Sequence, residues 1–364
     1  MTEATPQQLA PLVAGGAFLL AFVFGAVANK TDFCTMGAVS DWVNMGDFNR
    51  MRMWLLAIAV AILASSALHL AGAIDLSKSI YPGPNFTWLS YIVGGFLFGV
   101  GMTLGSGCGS KTLIRIGGGN LKSVIVYVFL GIAAYMTLRG ILGAFRVGFL
   151  ERFSLLFPAG QDLPTLLGIG KGLLAAVIGG ALLVFVYASR QFRSNLDYSL
   201  GGIVTGLVVA GGWYVSGHIG RIAEDPNTLQ EAFVATNTGR MESFSFVAPL
   251  AYSLDYLMFW TDKSRIVTYG VASVAGVIAG SAAYAIATKK FRWEGFRDAE
   301  DTAMHIVGGI LMGFGGICAL GCTVGQGITG FSTLALGSII TFVSIVAGAA
   351  LTMKWQYWRI GRQG

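Results

Sequence analysis

Nine stretches of this chain are apolar for long enough to cross a lipid bilayer: about 9–28, 52–73, 88–105, 120–142, 166–189, 197–215, 265–287, 302–320 and 332–353. A hydrocarbon core is roughly 30 Å thick, and about 20 helical residues cover it. No water reaches the backbone there, so each span must satisfy its own N–H and C=O groups as a helix. This predicts an all-α polytopic membrane protein with about nine transmembrane helices. Composition agrees: charged residues are only 12% of the chain and apolar types 54%. A soluble domain carries about 25% charged residues, so a soluble enzyme and a disordered chain are both excluded. A tenth stretch, 244–260, contains Pro249 and Asp255 and reads as a re-entrant or interfacial helix.

Orientation follows from the basic residues. Segments on the side of the first loop hold 15 Lys and Arg, and those on the other side hold 9. The positive-inside rule places the N-terminus outside and the C-terminus in the cytoplasm. Met1 to Gln8 contain no Lys or Arg, so a secretory signal peptide is not expected. The net charge of +6 reads as an inner surface facing anionic lipid, or as a vestibule that collects anions. A nucleic-acid role is not expected.

The chain also repeats itself. GGFLFGVGMTLGSGCGSKTLI from Gly94 aligns with GGILMGFGGICALGCTVGQGI from Gly308, at an offset of 214. Gly94, Gly95, Leu97, Gly99, Gly101, Gly107 and Cys108 match Gly308, Gly309, Leu311, Gly313, Gly315, Gly321 and Cys322 without a gap. The copies lie on the third and eighth spans, so they enter the membrane from opposite sides. That is an inverted pseudo-two-fold repeat, which puts a site at the interface of the halves. The halves are expected at 1–192 and 193–364.

Glycine, 52 of 364 residues, has two readings here. Gly95/Gly99 and Gly309/Gly313 have the four-residue spacing that lets helices approach closely. Gly105, Gly107 and Gly109, with Gly321, Gly325 and Gly327, flank the repeated cysteines. Each glycine costs about 1 kcal/mol in a helix interior, so these clusters predict breaks inside the bilayer and short re-entrant helices.

Of four cysteines, Cys34, Cys108 and Cys322 fall at irregular segments at membrane depth. Cys318 lies inside a span and reads as packing. No CxxC pair occurs, and His69, His218 and His305 do not cluster with the cysteines; no metal, cofactor or structural disulfide is expected. A thiol is a soft, weak donor and acceptor, suited to a polarizable sulfur anion, and it can also exchange to a persulfide. Lys111, Thr323 and Gln326 are candidate anion contacts, and Asp32 and Asp41 are expected to cap or fix the first loop.

NKTDFCTMG after the first span, GSGCGS after the third and ALGCTVGQG after the eighth resemble the YeeE/YedE family of membrane proteins. The resemblance covers essentially the whole chain. It implies an hourglass-like monomer with short helices entering from both faces, and bacterial thiosulfate uptake across the inner membrane. It further implies that Cys34, Cys108 and Cys322 pass the anion along through S–H to sulfur hydrogen bonds. A small TusA-like sulfur-carrier protein is the partner the family implies. A membrane sulfurtransferase or sulfur sensor carrying persulfides on the same cysteines, or transport of another sulfur or selenium compound, is the alternative. No reading attaches to the polar loop at 216–244.

Overall fold

The computed structural model describes residues 6–225 and 228–363; the ends of the chain and two residues of the 216–244 loop lie outside them. Fifteen α-helices are described. The first six are α1 (Pro6–Lys30), α2 (Thr35–Met45), α3 (Asn49–Leu70), α4 (Trp88–Leu104), α5 (Gly109–Gly117) and α6 (Leu121–Arg139). Then come α7 (Ile141–Phe145), α8 (Leu163–Leu167), α9 (Lys171–Tyr187), α10 (Arg190–Ser194) and α11 (Leu196–Tyr214). The last four are α12 (Ala248–Met258), α13 (Tyr269–Ala287), α14 (Ala299–Cys318) and α15 (Leu336–Gln363). Among the described residues, strand is confined to two short ladders, Asn85–Phe86 with Leu155–Leu156 and Arg221–Ile222 with Ala232–Phe233.

Among the described residues, eight helical stretches are long and apolar enough to cross a membrane. The protein is therefore all-α and multi-pass. The expected stretch at 166–189 differs in length. It divides into α8 and a 17-residue α9, because Gly168 adopts a left-handed backbone (φ +65°) that ends the first turn. At 1.5 Å per residue, α9 reaches only about 26 Å. Its outward face is apolar, with Leu173, Val177 and Val184 all exposed. The stretch at 244–260 forms α12, whose 11 residues are too few to span.

Helix packing falls into matched pairs. α1 lies along α13 as α11 lies along α3, and α4 lies along α15 as α14 lies along α6. α4 also packs on α14, and α1 on α11. Exchanging α1, α3, α4 and α6 for α11, α13, α14 and α15 maps this set of partners onto itself. The short helices obey the same exchange: α2 packs on α3 and α15, and α12 packs on α13 and α6. α9 packs on α3 and stands outside the exchange.

The repeated glycines sit where backbones touch. A Cβ on Gly99 would lie 2.2 Å from the Ile345 carbonyl oxygen of α15, and one on Gly313 would lie 2.4 Å from the Leu130 carbonyl oxygen of α6. Gly101 and Gly308 face each other across α4 and α14, each within 2.7 Å of the other's carbonyl oxygen once a Cβ is added. No side chain fits in those gaps. The four-residue glycine spacing therefore serves close helix approach.

Candidate functional site

Three helices end in the same way, each four residues before a cysteine. α1, α4 and α14 are followed by Asp32, Ser106 and Leu320, in left-handed backbone at φ 51°, 56° and 56°. The next amide reaches back five residues: Phe33 N to Ala28 O (3.1 Å), Gly107 N to Met102 O (2.9 Å) and Gly321 N to Gly316 O (2.8 Å). This is the Schellman cap, which satisfies the last carbonyls of a helix and turns the chain. Cys34, Cys108 and Cys322 come next, and the chain resumes as helix from Thr35, Gly109 and Thr323. The first helical turn after each break has amides with no partner in its own helix, so each thiol sits at an electropositive helix start.

The left-handed backbone thus lies on Asp32, Ser106 and Leu320; of the glycines expected to supply the breaks, Gly321 alone has a positive φ, +159°. Glycines beside the cysteines are needed for space instead. A Cβ on Gly109 would meet the Phe246 carbonyl oxygen at 2.4 Å, one on Gly325 the Ser245 Oγ at 2.5 Å, and one on Gly327 the Phe342 ring at 2.6 Å. Gly105 and Gly107 are less tightly packed, at 3.1 Å from Met312 and Lys111 respectively.

All three thiols are buried, and all four cysteines are unpaired. Cys34 Sγ accepts from Gly37 N at 3.4 Å. Cys322 Sγ accepts from Gly325 N and Phe246 N, both at 3.3 Å. In both cases the sulfur is spent as an acceptor on backbone, so the S–H hydrogen is the part left to donate. Cys108 Sγ lies 3.3 Å from Ser110 Oγ. The Cys108 segment touches both other breaks: Lys111 donates to Asp32, two residues before Cys34, and Gly109 lies against Phe246, whose amide donates to Cys322. Cys318, expected inside a span, is the buried last residue of α14, and its carbonyl accepts from Ser90 Oγ at 2.7 Å.

The other expected contacts are dispersed around these breaks. Thr323 is fully buried and its hydroxyl finds no partner; the same holds for Thr35. Thr35 was not singled out from the sequence, although the dipeptide Cys-Thr at 34–35 and again at 322–323 carries the signal. An unpaired buried hydroxyl costs about 1–3 kcal/mol, and these two occupy equivalent places, each directly after a cysteine. Gln326 is braced instead: its Nε2 donates to Ala319 O at 2.5 Å and its Oε1 accepts from Ser338 Oγ at 2.5 Å. Lys111 Nζ donates to Asp32, and Arg50 grips Asp41 through Nε (2.5 Å) and Nη2 (3.1 Å). Asp32 and Asp41 therefore tie the first break to α3 and α5.

Two cavities approach the thiols from opposite ends. One, about 390 Å³, is lined by Cys34, Ser106, Arg50, Lys111, Arg115 and Arg292. The other, about 200 Å³, reaches Gly321 beside Cys322 and includes Arg146, Glu242, Ser245 and Tyr252. Beside them, Phe24, Phe244, Phe246 and Val324 close together with no room for a water molecule, and the Phe24 and Phe246 rings stack at 5.8 Å. The loop at 216–244 helps wall the second cavity through Asn237, Thr238 and Met241. Its Glu242 carboxylate accepts from Asn237 N, Thr238 N and Thr238 Oγ1 at 2.8–2.9 Å. Among the described residues, no three of His, Cys, Asp and Glu gather as metal donors.

A family model described as Sulphur transport matches residues 30–351, from the first break to the last helix. The chain belongs to the Sulphur transport family. It is 26% identical over 340 residues to a protein of Escherichia coli (strain K12) named Thiosulfate transporter TsuA, covering 92% of this chain and 91% of that protein. It is 23% identical over 352 residues to a protein of the same name from Spirochaeta thermophila, covering 94% and 98%. The likeness thus extends over nearly the full length of both relatives. In this Sulphur transport member, the matched region contains all three capped breaks and their cysteines.

Proposed function

We propose that this chain takes up thiosulfate, or a closely related sulfur-containing anion, across the bacterial inner membrane. The observation that carries the reading is the triple repetition of one local structure: a Schellman-capped helix end, a buried thiol two residues after the left-handed cap residue, and a fresh helix N-terminus. Buried thiols at electropositive helix starts suit a soft anion more than a hard, tightly hydrated one. The full-length likeness to proteins named thiosulfate transporters supports the same cargo.

In the proposed route the anion enters by the cavity beside Cys322. It passes Cys108, whose segment touches the Cys34 break through Lys111 and the Cys322 break through Gly109, and leaves past Cys34. At Cys322 and Cys34 the S–H donates to the cargo's terminal sulfur, while Thr323 and Thr35 donate to its oxygens. The aromatic closure around Phe24 and Phe246 keeps water from flowing through. Only an anion that can exchange hydration for thiol and hydroxyl donors then gains by entering. Each hand-over replaces one weak hydrogen bond by another, which keeps the steps shallow. The chain acts as a transporter rather than an enzyme.

The two halves of the molecule in this reading are 1–192 and 193–364, related by the exchange of packing partners, with α9 as the odd span that inverts the second half. The N-terminus faces the periplasm and the C-terminus the cytoplasm, which places the basic cavity at Cys34 on the inner side. A small TusA-like sulfur carrier would meet the cargo there, and a single chain is the functional unit. The test is growth of a host unable to use other sulfur sources, with thiosulfate as the sole sulfur supply. Growth is expected with the intact chain and is lost with Cys108→Ala; absence of growth with a well-expressed intact chain overturns the reading.

A further inference from the structure

Asp32 is the residue of the first break whose chemistry the thiols do not account for. Its carboxylate takes a hydrogen bond from Lys111 Nζ and one from Arg50 Nη1 at 3.1 Å. Lys111 stands three residues after Cys108, and Asp32 two residues before Cys34. The two cations therefore stand beside the step between those thiols, at the inner end of the basic cavity. Three further cations, Arg115, Lys290 and Arg292, line the same cavity, and none is in an ion pair among the described residues.

The two aspartates are not equivalent. Asp41 holds Arg50 through two bonds and its side chain is only 8% exposed. Asp32 is 60% exposed. An exposed ion pair is weakly held and readily exchanged, whereas a buried, bidentate one is not. Asp41 is thus the fixed partner of Arg50, and Asp32 the replaceable one.

We propose that Asp32 is a tethered carboxylate filling the last anion seat at the Cys34 mouth, between Lys111 and Arg50, and that a departing dianion leaves by exchanging with it. The proposal rests on the reading that a sulfur anion passes Cys34, although its binding test does not. Without Asp32, Lys111 would stand unpaired beside a buried pathway, next to the free Nη1 edge of Arg50, and would retain a dianion and slow its exit. A carboxylate held on the neighbouring turn competes at an effective concentration set by its tether. A seat it occupies about nine-tenths of the time binds cargo about ten-fold more weakly than an open one. The cargo's second charge lets it displace the carboxylate on arrival, and the carboxylate's return drives it off.

The experiment titrates thiosulfate and, separately, inorganic sulfate into the full-length protein in lipid nanodiscs by calorimetry. Asp32→Asn is expected to bind both about ten-fold more tightly than the natural chain, and Asp32→Glu to stay near it. Adding Lys111→Gln to Asp32→Asn cancels the gain. In proteoliposomes, KM and kcat for thiosulfate uptake fall together in Asp32→Asn, as they would if release had slowed. A purely structural role would lower kcat with no gain in affinity. Asp32→Ser repeats the measurement with a different side chain should the asparagine variant fold poorly. Binding no tighter than the natural chain in both variants, or a gain that survives Lys111→Gln, overturns the proposal. If the natural chain moves no thiosulfate but the affinity gain holds, the transport reading fails and the anion seat stands.

Discussion

Replacing Cys322 separates what its sulfur does for the fold from what its hydrogen does for the cargo. Cys322 is fully buried, and its Sγ is the acceptor for the amides of Phe246 and Gly325, both at 3.3 Å. Cys322→Ala removes that acceptor and leaves two amides unpaired where no water reaches. A buried unsatisfied amide costs about 1–3 kcal/mol. Sulfur is a weak acceptor, so the lower end applies to each, and the loss is about 2 kcal/mol in total. Cys322→Ser keeps an acceptor at the same branch point and recovers most of that stability. It does not keep a soft S–H donor for the cargo's sulfur. The assay pairs apparent thermal midpoint in detergent with initial uptake of labelled thiosulfate in proteoliposomes. Ala is expected to lose both stability and uptake, and Ser to lose uptake alone. A serine variant as active as the natural chain refutes the thiol requirement. An alanine variant as stable as the serine one refutes the structural role given to the sulfur.

Three other outcomes follow from the geometry. Gly99→Ala and Gly313→Ala, each placing a Cβ within 2.4 Å of a carbonyl oxygen on the facing helix, should each lower stability by about 1–3 kcal/mol or more, read as reduced yield of monodisperse protein; Gly180→Ala, which meets nothing within 4 Å, should be neutral. Thr35→Val and Thr323→Val remove hydroxyls that have no partner, so thermal stability should hold or rise by up to about 1 kcal/mol while thiosulfate KM rises; unchanged KM in both would remove them from the pathway. In the 216–244 loop, Glu231 is held below the ordinary carboxylate range by its hydrogen bond from Lys78 and a second from Arg221. A lowered folded-state pKa gives stability that is present above the unfolded value and lost as pH falls through the folded one; amide protection of the Arg221–Ile222 and Ala232–Phe233 ladder, taken relative to the intrinsic exchange rate, should therefore fall as pH drops below the ordinary glutamate range, and Glu231→Gln should abolish that fall.

How much of this was legible in the sequence varies with what each feature depends on. Long apolar runs dictate helices because a bilayer offers no other way to pair a backbone, so the spans could be read directly. The Gly95/Gly99 and Gly309/Gly313 spacings also carried their meaning, since only glycine allows carbonyl contact between helices. The 214-residue offset pointed to α4 and α14, but not to α1. Asp32, Ser106 and Leu320 share a left-handed backbone and no side-chain chemistry, so the common cap that groups Cys34 with the other two thiols is visible only in φ and in the amide that reaches back five residues. Gln326 looked like a donor and proved to be a brace between Ala319 and Ser338, because hydrogen-bond partners seven and twelve residues away are set by the turn that intervenes. Likewise α9 fell short of its apolar run because Gly168 stops the helix before it.

The direct measurement of the central claim is uptake of ³⁵S-thiosulfate into proteoliposomes holding the natural chain or its Cys108→Ala variant. Cys108 stands between the other two breaks, its segment reaching Asp32 through Lys111 and Phe246 through Gly109, and its one hydrogen-bond contact among the described residues is with Ser110 Oγ, so an alanine there removes one weak bond and a small buried volume. The account predicts uptake by the natural chain and near-complete loss in the variant at equal protein incorporation. Equal uptake by the two would contradict a route that runs through the three thiols.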